Sequence, residues 1–494
     1  MSTRKIIRTL TVMLIVTVLL GLLILAAIIR PARTPELNTD LLPLIRSETV
    51  YILLIFIVGL PILIFGMIVI ISKRLRAQKK EDDTDDVIRA ISPEPALTPD
   101  EAAAYADAVS EAQQDEEEQE EESEEEDSPD GEEEINPRFC MLSEIDRRME
   151  EYEAPEYDQK IGLEELCEEF RNFAASQLKL YYEKEDIRRF VANMAVSHIL
   201  IMQGMSGTGK TSMAYAFGEF LRNHSVILPI QPMWKERTDM IGYYNEFTKR
   251  FNETVLLQKM YEANYNDEIY IVVLDEVNIA RVEYYFAEFL SLLEIPDPDK
   301  RNLDVVSDVW ENDPKLLRNG QLRLPTNMWF VGTANNDDST FAISDKVYDR
   351  SMIMNLDKKT RVFEPQEGKG VKVSASYFDE LAAEARKEYS LTRRNRQRLQ
   401  ELDNYLINRF KITFGNRIMK QINYYIPAFL ACGGDELEAL DDILAKKVFR
   451  KLESQNPIYV RNSVDDLCAY LDDLFGYDKM PLCKEYLRKF ERSA

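Results

Sequence analysis

Residues 199–212 constrain the fold more than any other stretch of the chain. They read ILIMQGMSGTGKTS, an apolar run followed by a glycine-rich turn with the complete pattern G-x-x-x-x-G-K-[ST]. The apolar residues 199–202 are typical of a buried parallel strand, and the spacing of residues 212–221 predicts a helix behind the turn. A strand, a glycine-rich turn and a helix in this order form the context in which the pattern binds phosphate groups.

The residue types in this turn explain why it would bind a nucleotide. Gly204, Gly207 and Gly209 have no Cβ atom, so backbone N–H groups can converge on phosphate oxygens, and the following helix adds its positive N-terminal end. Lys210 supplies a mobile charge for the β- and γ-phosphates, and the Thr211 hydroxyl suits Mg²⁺. The predicted nucleotide-binding residues are Gly204, Met205, Ser206, Gly207, Thr208, Gly209, Lys210, Thr211 and Ser212.

A second predicted strand ends in an acidic pair. Residues 269–274 (IYIVVL) are strongly apolar, and Asp275 and Glu276 follow them directly. An aspartate at the tip of a buried strand can hold Mg²⁺ through a water molecule, so Thr211 and Asp275 are the predicted metal ligands. A glutamate beside it can take a proton from the water that attacks the γ-phosphate. Residues 328–333 predict a further strand, whose polar amide tip would orient that water.

The remaining periodic segments complete an α/β pattern. Apolar runs predict two more strands, at residues 225–231 and 351–356, and the Asn319-Gly320 pair predicts a hairpin turn. Helical spacing recurs before the loop, between the strands and through the C-terminal part of the chain. The predicted helices are residues 161–180, 183–196, 251–263, 277–294, 344–350, 395–410, 417–430, 436–453, 464–474 and 484–491.

Two long uncharged segments precede all of these elements. Residues 10–29 and 50–71 lack any charged side chain, and each is long enough to cross a hydrocarbon core of about 30 Å as a helix. Basic residues flank the pair on its outer sides, so the positive-inside rule predicts a membrane hairpin with both ends in the cytoplasm. A cleaved signal peptide is the alternative for the first segment. In that case the chain that follows the second segment would still lie in the cytoplasm.

Most of the net charge of −26 comes from one segment. Residues 81–135 hold 25 acidic residues and one basic residue, whereas the rest of the chain holds 62 acidic and 60 basic residues. A charge run of one sign with few large apolar residues predicts a disordered linker. The linker is either a solvated spacer or a docking tail for a basic partner. Because the rest of the chain is nearly neutral, its bulk charge does not indicate nucleic-acid binding.

The cysteines and histidines predict structural roles only. Five cysteines are scattered without a C-x-x-C pair, and the only histidines are His198 and His224. Such spacing does not indicate a zinc site.

At these motifs the chain resembles the AAA+ ATPases, over residues 144–491. Within that superfamily it is most similar to the branch that holds the MoxR-like ATPases and the McrB-type motor of methylcytosine-dependent restriction. The resemblance rests on the phosphate loop and on four further stretches. These are residues 275–278 (DEVN) with Phe286 and Leu290 to Glu294 downstream, residues 332–335 (GTAN), residues 345–350 (DKVYDR) and residues 414–417 (FGNR).

The resemblance implies roles for further residues. Asn335 looks like the sensor-1 residue, Arg350 like the arginine finger that reaches a neighbouring subunit's nucleotide, and Arg417 like sensor 2. Asp338 matches an acidic residue of the McrB-type pattern, but the arginine that usually follows it is Ser339 here. ATP with Mg²⁺, rather than GTP, is therefore the expected nucleotide. The predicted catalytic residues are Glu276, Lys210, Asn335, Arg350 and Arg417.

Other interpretations of the two arginines remain open. Arg350 could form an ion pair with Asp345 or Asp349 inside its own subunit, and Arg417 could lie on a solvated helix face. The branch also carries extra hairpins, for which residues 241–254 and 301–324 are the candidates. These hairpins would contact either a substrate or a neighbouring subunit.

The sequence thus predicts four parts and one leading function. The parts are a transmembrane anchor (1–80), an acidic linker (81–135), an AAA+ nucleotide-binding α/β domain with a parallel sheet (136–360) and a helical lid (361–494). The leading hypothesis is a membrane-anchored, ring-forming ATP hydrolase that remodels a protein client at the cytoplasmic face. The alternatives are a nucleic-acid translocase, for which Arg393, Arg394, Arg396 and Arg398 give a basic patch, and a nucleotide-gated scaffold.

Overall fold

The computed structural model describes residues 137–335, 340–358 and 360–492. Within these ranges, no helix is both long and apolar enough to cross a bilayer. The two predicted membrane spans, the acidic linker, Asp338 and Ser339 lie outside the described residues.

Nine strands form one large sheet and two hairpins. In chain order they are β1 (Ile199–Gly204), β2 (Val226–Pro229), β3 (Gly242–Asn245), β4 (Arg250–Glu253), β5 (Tyr270–Asp275), β6 (Asn302–Asp304), β7 (Gln321–Arg323), β8 (Met328–Asn335) and β9 (Met352–Asn355). The large sheet has the order β2-β5-β8-β1-β9, and all its neighbouring strands run parallel. This confirms the predicted parallel sheet and all five of its predicted strands.

Sixteen α-helices flank the sheet or follow it within the described residues. They are α1 (Met141–Glu150), α2 (Leu163–Gln177), α3 (Lys184–Met194), α4 (Lys210–Phe220), α5 (Thr238–Ile241), α6 (Val255–Ala263), α7 (Val282–Tyr285), α8 (Ala287–Leu292), α9 (Asp345–Arg350), α10 (Ala375–Glu388), α11 (Arg393–Phe410), α12 (Gly415–Ala431), α13 (Glu436–Ile443), α14 (Pro457–Arg461), α15 (Val464–Phe475) and α16 (Pro481–Arg492). From α10 to residue 492, where the described part of the chain ends, there is no strand, as the helical spacing predicts.

The sheet separates two apolar clusters because side chains alternate along each strand. In β1, Leu200 and Met202 pack with α2, α3 and α4 on one face. Ile199 and Ile201 face the opposite cluster, which includes the stacked rings of Phe286 and Phe289. Both faces are therefore covered, as parallel sheets require.

Two predicted helices are wrong in part. Residues 277–294 do not form one helix but a 3₁₀ turn (Val277–Ile279) and the short helices α7 and α8, because the backbone is extended at Ala280. Residues 251–253 belong to strand β4, and helix α6 begins only after Thr254, whose hydroxyl accepts a hydrogen bond from Leu257 N. A threonine that caps in this way marks the first turn of a helix.

The two hairpins lie where residues 241–254 and 301–324 predict them. Strands β3 and β4 pair antiparallel, as do β6 and β7. Asn319 and Gly320 both have positive φ angles (53° and 74°), which is the turn geometry that favours this residue pair. A Cβ atom on Gly320 would lie only 2.1 Å from Val306 O.

The predicted helix 436–453 changes pitch along its length. Helix α13 continues as a π-helical turn (Leu444–Val448) and then as a 3₁₀ turn (Phe449–Ser454). The π turn carries two buried lysines, Lys446 and Lys447. Such turns often occur at functional positions.

Candidate active site at the carboxyl end of the sheet

The glycine-rich loop connects β1 to α4 in a conformation that needs its glycines. Gly209 has a left-handed backbone with φ 93° and directly precedes the first residue of α4. Gly204 has φ 148°, and a Cβ atom there would lie 2.3 Å from Leu356 O. The Tyr182 hydroxyl donates a hydrogen bond of 3.2 Å to Gly209 O. The loop is therefore fixed by the end of β9 and by the segment before α3.

The side chain of Lys210 lies inside the loop. Its Nζ atom donates hydrogen bonds to Gly204 O (3.0 Å) and Met205 O (2.7 Å), and the side chain is buried. A buried ammonium beside backbone N–H groups at a helix N-terminus favours the binding of an anion. The position agrees with the phosphate-binding role predicted for Lys210.

The Asp275 carboxylate joins three secondary-structure elements. Its Oδ1 atom accepts a hydrogen bond of 2.7 Å from Thr211 Oγ1 on α4 and one of 2.8 Å from Thr333 Oγ1 on β8. The Thr333 hydroxyl also accepts the backbone N–H of Glu276 at 3.0 Å. The tip of β5 is thus bonded to the loop helix on one side and to β8 on the other.

Thr211 and Asp275 present oxygen atoms that suit Mg²⁺. This ion binds proteins through one or two carboxylates together with phosphate oxygens and water, rather than through a dedicated cage of side chains. The described residues contain no group of three or more His, Cys, Asp and Glu side chains that could hold a metal. The side chains of the two residues predicted as metal ligands are thus hydrogen-bonded to each other.

Glu276 and Asn335 meet beside this pair. Glu276 has a left-handed backbone (φ 53°, ψ 49°), which is rare for a residue with a side chain and often marks functional sites. Asn335 Nδ2 lies 3.4 Å from Glu276 Oε1, and Asn335 pairs with Gly204 in the register of β8 and β1. The glycine loop, the acidic pair and the Asn335 amide therefore lie together at the carboxyl edge of the sheet, where parallel sheets bind their ligands.

Two supporting residues were not assigned a role from the sequence. Thr333 connects Asp275 to the Glu276 backbone, as described above. The buried Asn278 donates from Nδ2 to Asn335 O (3.1 Å), Thr340 Oγ1 (2.9 Å) and Phe341 O (3.3 Å). Both residues lie in stretches that carry the AAA+ resemblance, DEVN and GTAN, but their partners depend on the order of the strands.

Arg350 and Arg417 lie at the opposite edge of the sheet from the loop of their own subunit. Arg350 ends α9 just before Met352, which pairs with Leu200 near the start of β1. Gly204 lies four residues further along β1, about 13 Å at the rise of a strand. The structure therefore does not bring either arginine to the subunit's own loop. Both form ion pairs with Glu294 instead, Arg350 through Nε at 2.8 Å.

These ion pairs differ from the alternatives considered for the two arginines. Asp345 pairs with Arg450 rather than with Arg350, and Arg417 has a carboxylate partner rather than a purely solvated position. Both arginines therefore lie away from the glycine loop of their own chain, and a role at a neighbouring subunit's nucleotide stays a prediction.

Helix α9, which carries Arg350, is held by the C-terminal helices. Lys447 Nζ donates to Tyr348 O (2.5 Å) and to Ser351 O, and Gln421 Nε2 donates to Asp349 O at 3.2 Å. Burial lowers the pKa of Lys447 to about 7. The backbone on both sides of Arg350 is therefore fixed by side chains from α12 and from the π turn.

The two hairpins extend from the sheet and contact each other. Tyr244 of β3 packs edge-on against Trp310, with ring centroids 6.1 Å apart. Arg138 lies over the Trp310 ring and forms a buried ion pair with Asp313. At the tip of the β3–β4 hairpin, the Phe247 side chain is 99% exposed. The β3–β4 hairpin is thus packed against the loop between β6 and β7, and its tip carries an exposed aromatic side chain.

Comparisons with known proteins give a family match and a similar structure. Residues 199–351 match the family model of the AAA domain (dynein-related subfamily). No curated protein matches the chain. The chain is similar to a crystal structure described as that of "a putative ATPase" from Cytophaga hutchinsonii, at 12% identity and a TM-score of 0.38, over 62% of this chain and 88% of that one. Residues 199–351, which match the family model, contain the glycine loop, Asp275, Glu276, Asn335 and Arg350. Together with the parallel sheet, this match supports an AAA+ α/β domain and an ATPase.

Proposed function

We propose that this protein is an AAA+ ATP hydrolase of the MoxR/McrB-like branch that binds ATP with Mg²⁺ at residues 204–212. The observation that carries the proposal is the bonded group at the sheet edge. Asp275 accepts the Thr211 hydroxyl, while Glu276 lies beside Asn335. Thr211 and Asp275 would bind the metal ion, and the neighbouring carboxylate and amide could act on one water molecule.

Each residue has a distinct task in the proposed reaction. The loop N–H groups and Lys210 bind the β- and γ-phosphates, and Thr211 with Asp275 holds Mg²⁺. Glu276 takes the proton of the attacking water while Asn335 orients that water. The products are ADP and inorganic phosphate, and the proton passes to the Glu276 carboxylate.

A ring of identical subunits completes the proposed site. Arg350 lies away from its own loop and beside Arg417, so a neighbouring subunit's nucleotide is the partner that both would reach. The expected assembly is head-to-tail, because the nucleotide and the arginines occupy different edges of one subunit.

The proposed client is a protein. The exposed Phe247 at the tip of the β3–β4 hairpin offers an apolar contact without a charge requirement. The basic patch on α11 gives less support to a nucleic-acid client, since Arg398 lies over the Phe475 ring and donates to Asn395 within its own helix.

We further propose that residues 10–29 and 50–71 anchor the protein in a membrane with the ATPase part in the cytoplasm. The support is the length of the two uncharged segments and the basic residues on their outer sides. Reporter fusions after Gln78 and after Asn38 test this topology. A cytoplasmic signal at Gln78 and an extracytoplasmic signal at Asn38 are expected, and an extracytoplasmic signal at Gln78 would exclude ATP hydrolysis in the cytoplasm.

ATP hydrolysis by the purified full-length chain tests the proposed activity. Glu276→Gln removes the base but keeps the loop, so turnover should fall by roughly 100-fold or more while ATP affinity hardly changes. Glu288→Gln is the matched control, because Glu288 pairs with Arg237 outside the site. Near wild-type turnover of the Glu276→Gln chain would refute the assignment of the base.

A further inference from the structure

Glu294 is the shared partner of the two arginines at the amino edge of the sheet. Its Oε2 atom lies 2.8 Å from Arg350 Nε, and its Oε1 atom contacts Arg417 Nη2. Arg350 belongs to α9 beside the sheet, whereas Arg417 belongs to the first turns of α12. One carboxylate therefore joins the sheet domain to the C-terminal helices, with one oxygen on each guanidinium.

These three residues line a cavity of about 680 Å³ that is rich in positive charge. Its lining contains four cationic side chains, adding Arg301 and Lys420 to the two arginines, and two acidic ones, Glu294 and Asp349. The half-buried His198 adds no charge at neutral pH, because desolvation and nearby Arg301 lower its pKa to about 4. The cavity is thus a net cationic site that Glu294 neutralises only in part.

The geometry at Glu294 resembles that of a bound phosphate group. Two guanidinium groups that converge on two oxygens of one anion form the arrangement that recognises carboxylate and phosphate alike. A terminal phosphate has more oxygens and more negative charge than a carboxylate, so it would bind the same two arginines more strongly. The side chains of Glu294, Arg350 and Arg417 are 32%, 25% and 45% exposed, and ion pairs this accessible to water are weak enough to exchange.

We propose that Glu294 is an internal counter-ion that occupies the anion site of Arg350 and Arg417 in an unassembled subunit, and that the terminal phosphate of a neighbouring subunit's ATP displaces it. This inference rests on the proposed function, and it makes Glu294 a competitor of the ligand rather than part of the reaction. Assembly is then favoured only when the neighbour carries a nucleotide, because without one the arginines remain neutralised.

Nucleotide-dependent self-association of the full-length chain tests the proposal. Glu276→Gln serves as the background, since it binds ATP without turning it over, and mass photometry with ATP and Mg²⁺ gives the concentration of half-maximal assembly. Adding Glu294→Gln removes the competing charge and should lower that concentration about threefold to tenfold, the effect expected of losing two part-exposed ion pairs. Without nucleotide, the two chains should associate equally.

Glu288→Gln in the same background is the matched control. Glu288 lies six residues earlier, is 33% exposed and forms an ion pair with Arg237, so it reports the loss of an equivalent surface charge away from the cavity. This control should leave the assembly concentration unchanged, and the thermal melts of all three chains should agree within a few degrees, the effect of losing part-exposed ion pairs.

The outcomes separate the inference from the function on which it rests. If ATP promotes assembly but Glu294→Gln behaves like the control, the counter-ion role is wrong and the ring proposal stands. If Glu294→Gln promotes assembly equally without ATP, Glu294 merely opposes a protein contact, and displacement by phosphate is refuted. If ATP promotes assembly of none of the chains, the proposed active site between two subunits is wrong, and so is the counter-ion role of Glu294.

Discussion

Replacing Thr333 by valine should impair the candidate active site without creating a cavity in the core. Valine has nearly the same shape, but it lacks the hydroxyl that donates to Asp275 Oδ1 at 2.8 Å and accepts Glu276 N–H at 3.0 Å. Thr333 is buried, whereas its two partners lie at the half-buried tip of β5. The lost bond to a carboxylate and the lost bond to the Glu276 N–H together cost about 2–4 kcal/mol.

Part of this cost should be visible in turnover, since the same bonds hold the left-handed backbone of Glu276. A loss of 1.4–2.8 kcal/mol of positioning corresponds to a fall in kcat of about tenfold to 100-fold. Steady-state ATP hydrolysis and urea unfolding of the Thr333→Val chain measure the two effects. Thr333→Ser keeps the hydroxyl and loses one methyl group, about 0.8 kcal/mol, so it should retain most activity. A Thr333→Val chain with wild-type kcat and an unchanged unfolding midpoint would refute the reasoning.

Three further predictions concern the loop and the half-buried His198. Lys210→Ala removes the charge that faces the phosphates, so ATP affinity in a nucleotide titration should fall at least about tenfold; unaltered affinity would mean that the loop is not the phosphate site. Gly204→Ala should abolish ATP binding, because its Cβ atom would lie 2.3 Å from Leu356 O; normal binding would show that the loop tolerates a different backbone. Burial and nearby Arg301 lower the pKa of His198 to about 4, below its unfolded value of about 6.5, so the stability of the neutral form is present above pH 6.5 and lost as the pH falls toward 4. Urea unfolding should therefore show a loss of up to about 3 kcal/mol over that interval which His198→Asn does not show, and equal losses in both chains would contradict the neutral ring of His198.

Elements that are marked by a local sequence pattern were predictable from the sequence. The five parallel strands are continuous apolar runs because both faces of the sheet are covered. The glycine loop and the Asn319-Gly320 turn are marked by residue types that their backbone angles require. Helix α1 was missed because half of its sequence MLSEIDRRME is charged, and Leu142 and Ile145 are its only buried apolar side chains.

Contacts that depend on strand order or on distant segments were not predictable. Thr333 meets Asp275 only because β8 lies beside β5, although 58 residues separate the two side chains. The break in residues 277–294 is fixed by tertiary bonds, among them the one from the Tyr285 hydroxyl to Val277 O at 2.8 Å. Glu294 is the last residue of a predicted helix, and nothing local indicates that it joins Arg350 to Arg417.

Mixing two inactive chains tests whether one active site draws residues from two subunits. The Arg350→Ala chain keeps an intact Glu276, and the Glu276→Gln chain keeps an intact Arg350. If Arg350 acts on the neighbour's nucleotide, each chain alone should be inactive while still binding ATP. An equal mixture should regain ATPase activity, since about one head-to-tail interface in four then combines both intact residues. A mixture that binds ATP and assembles but stays inactive, or an Arg350→Ala chain that is fully active alone, would contradict the shared site.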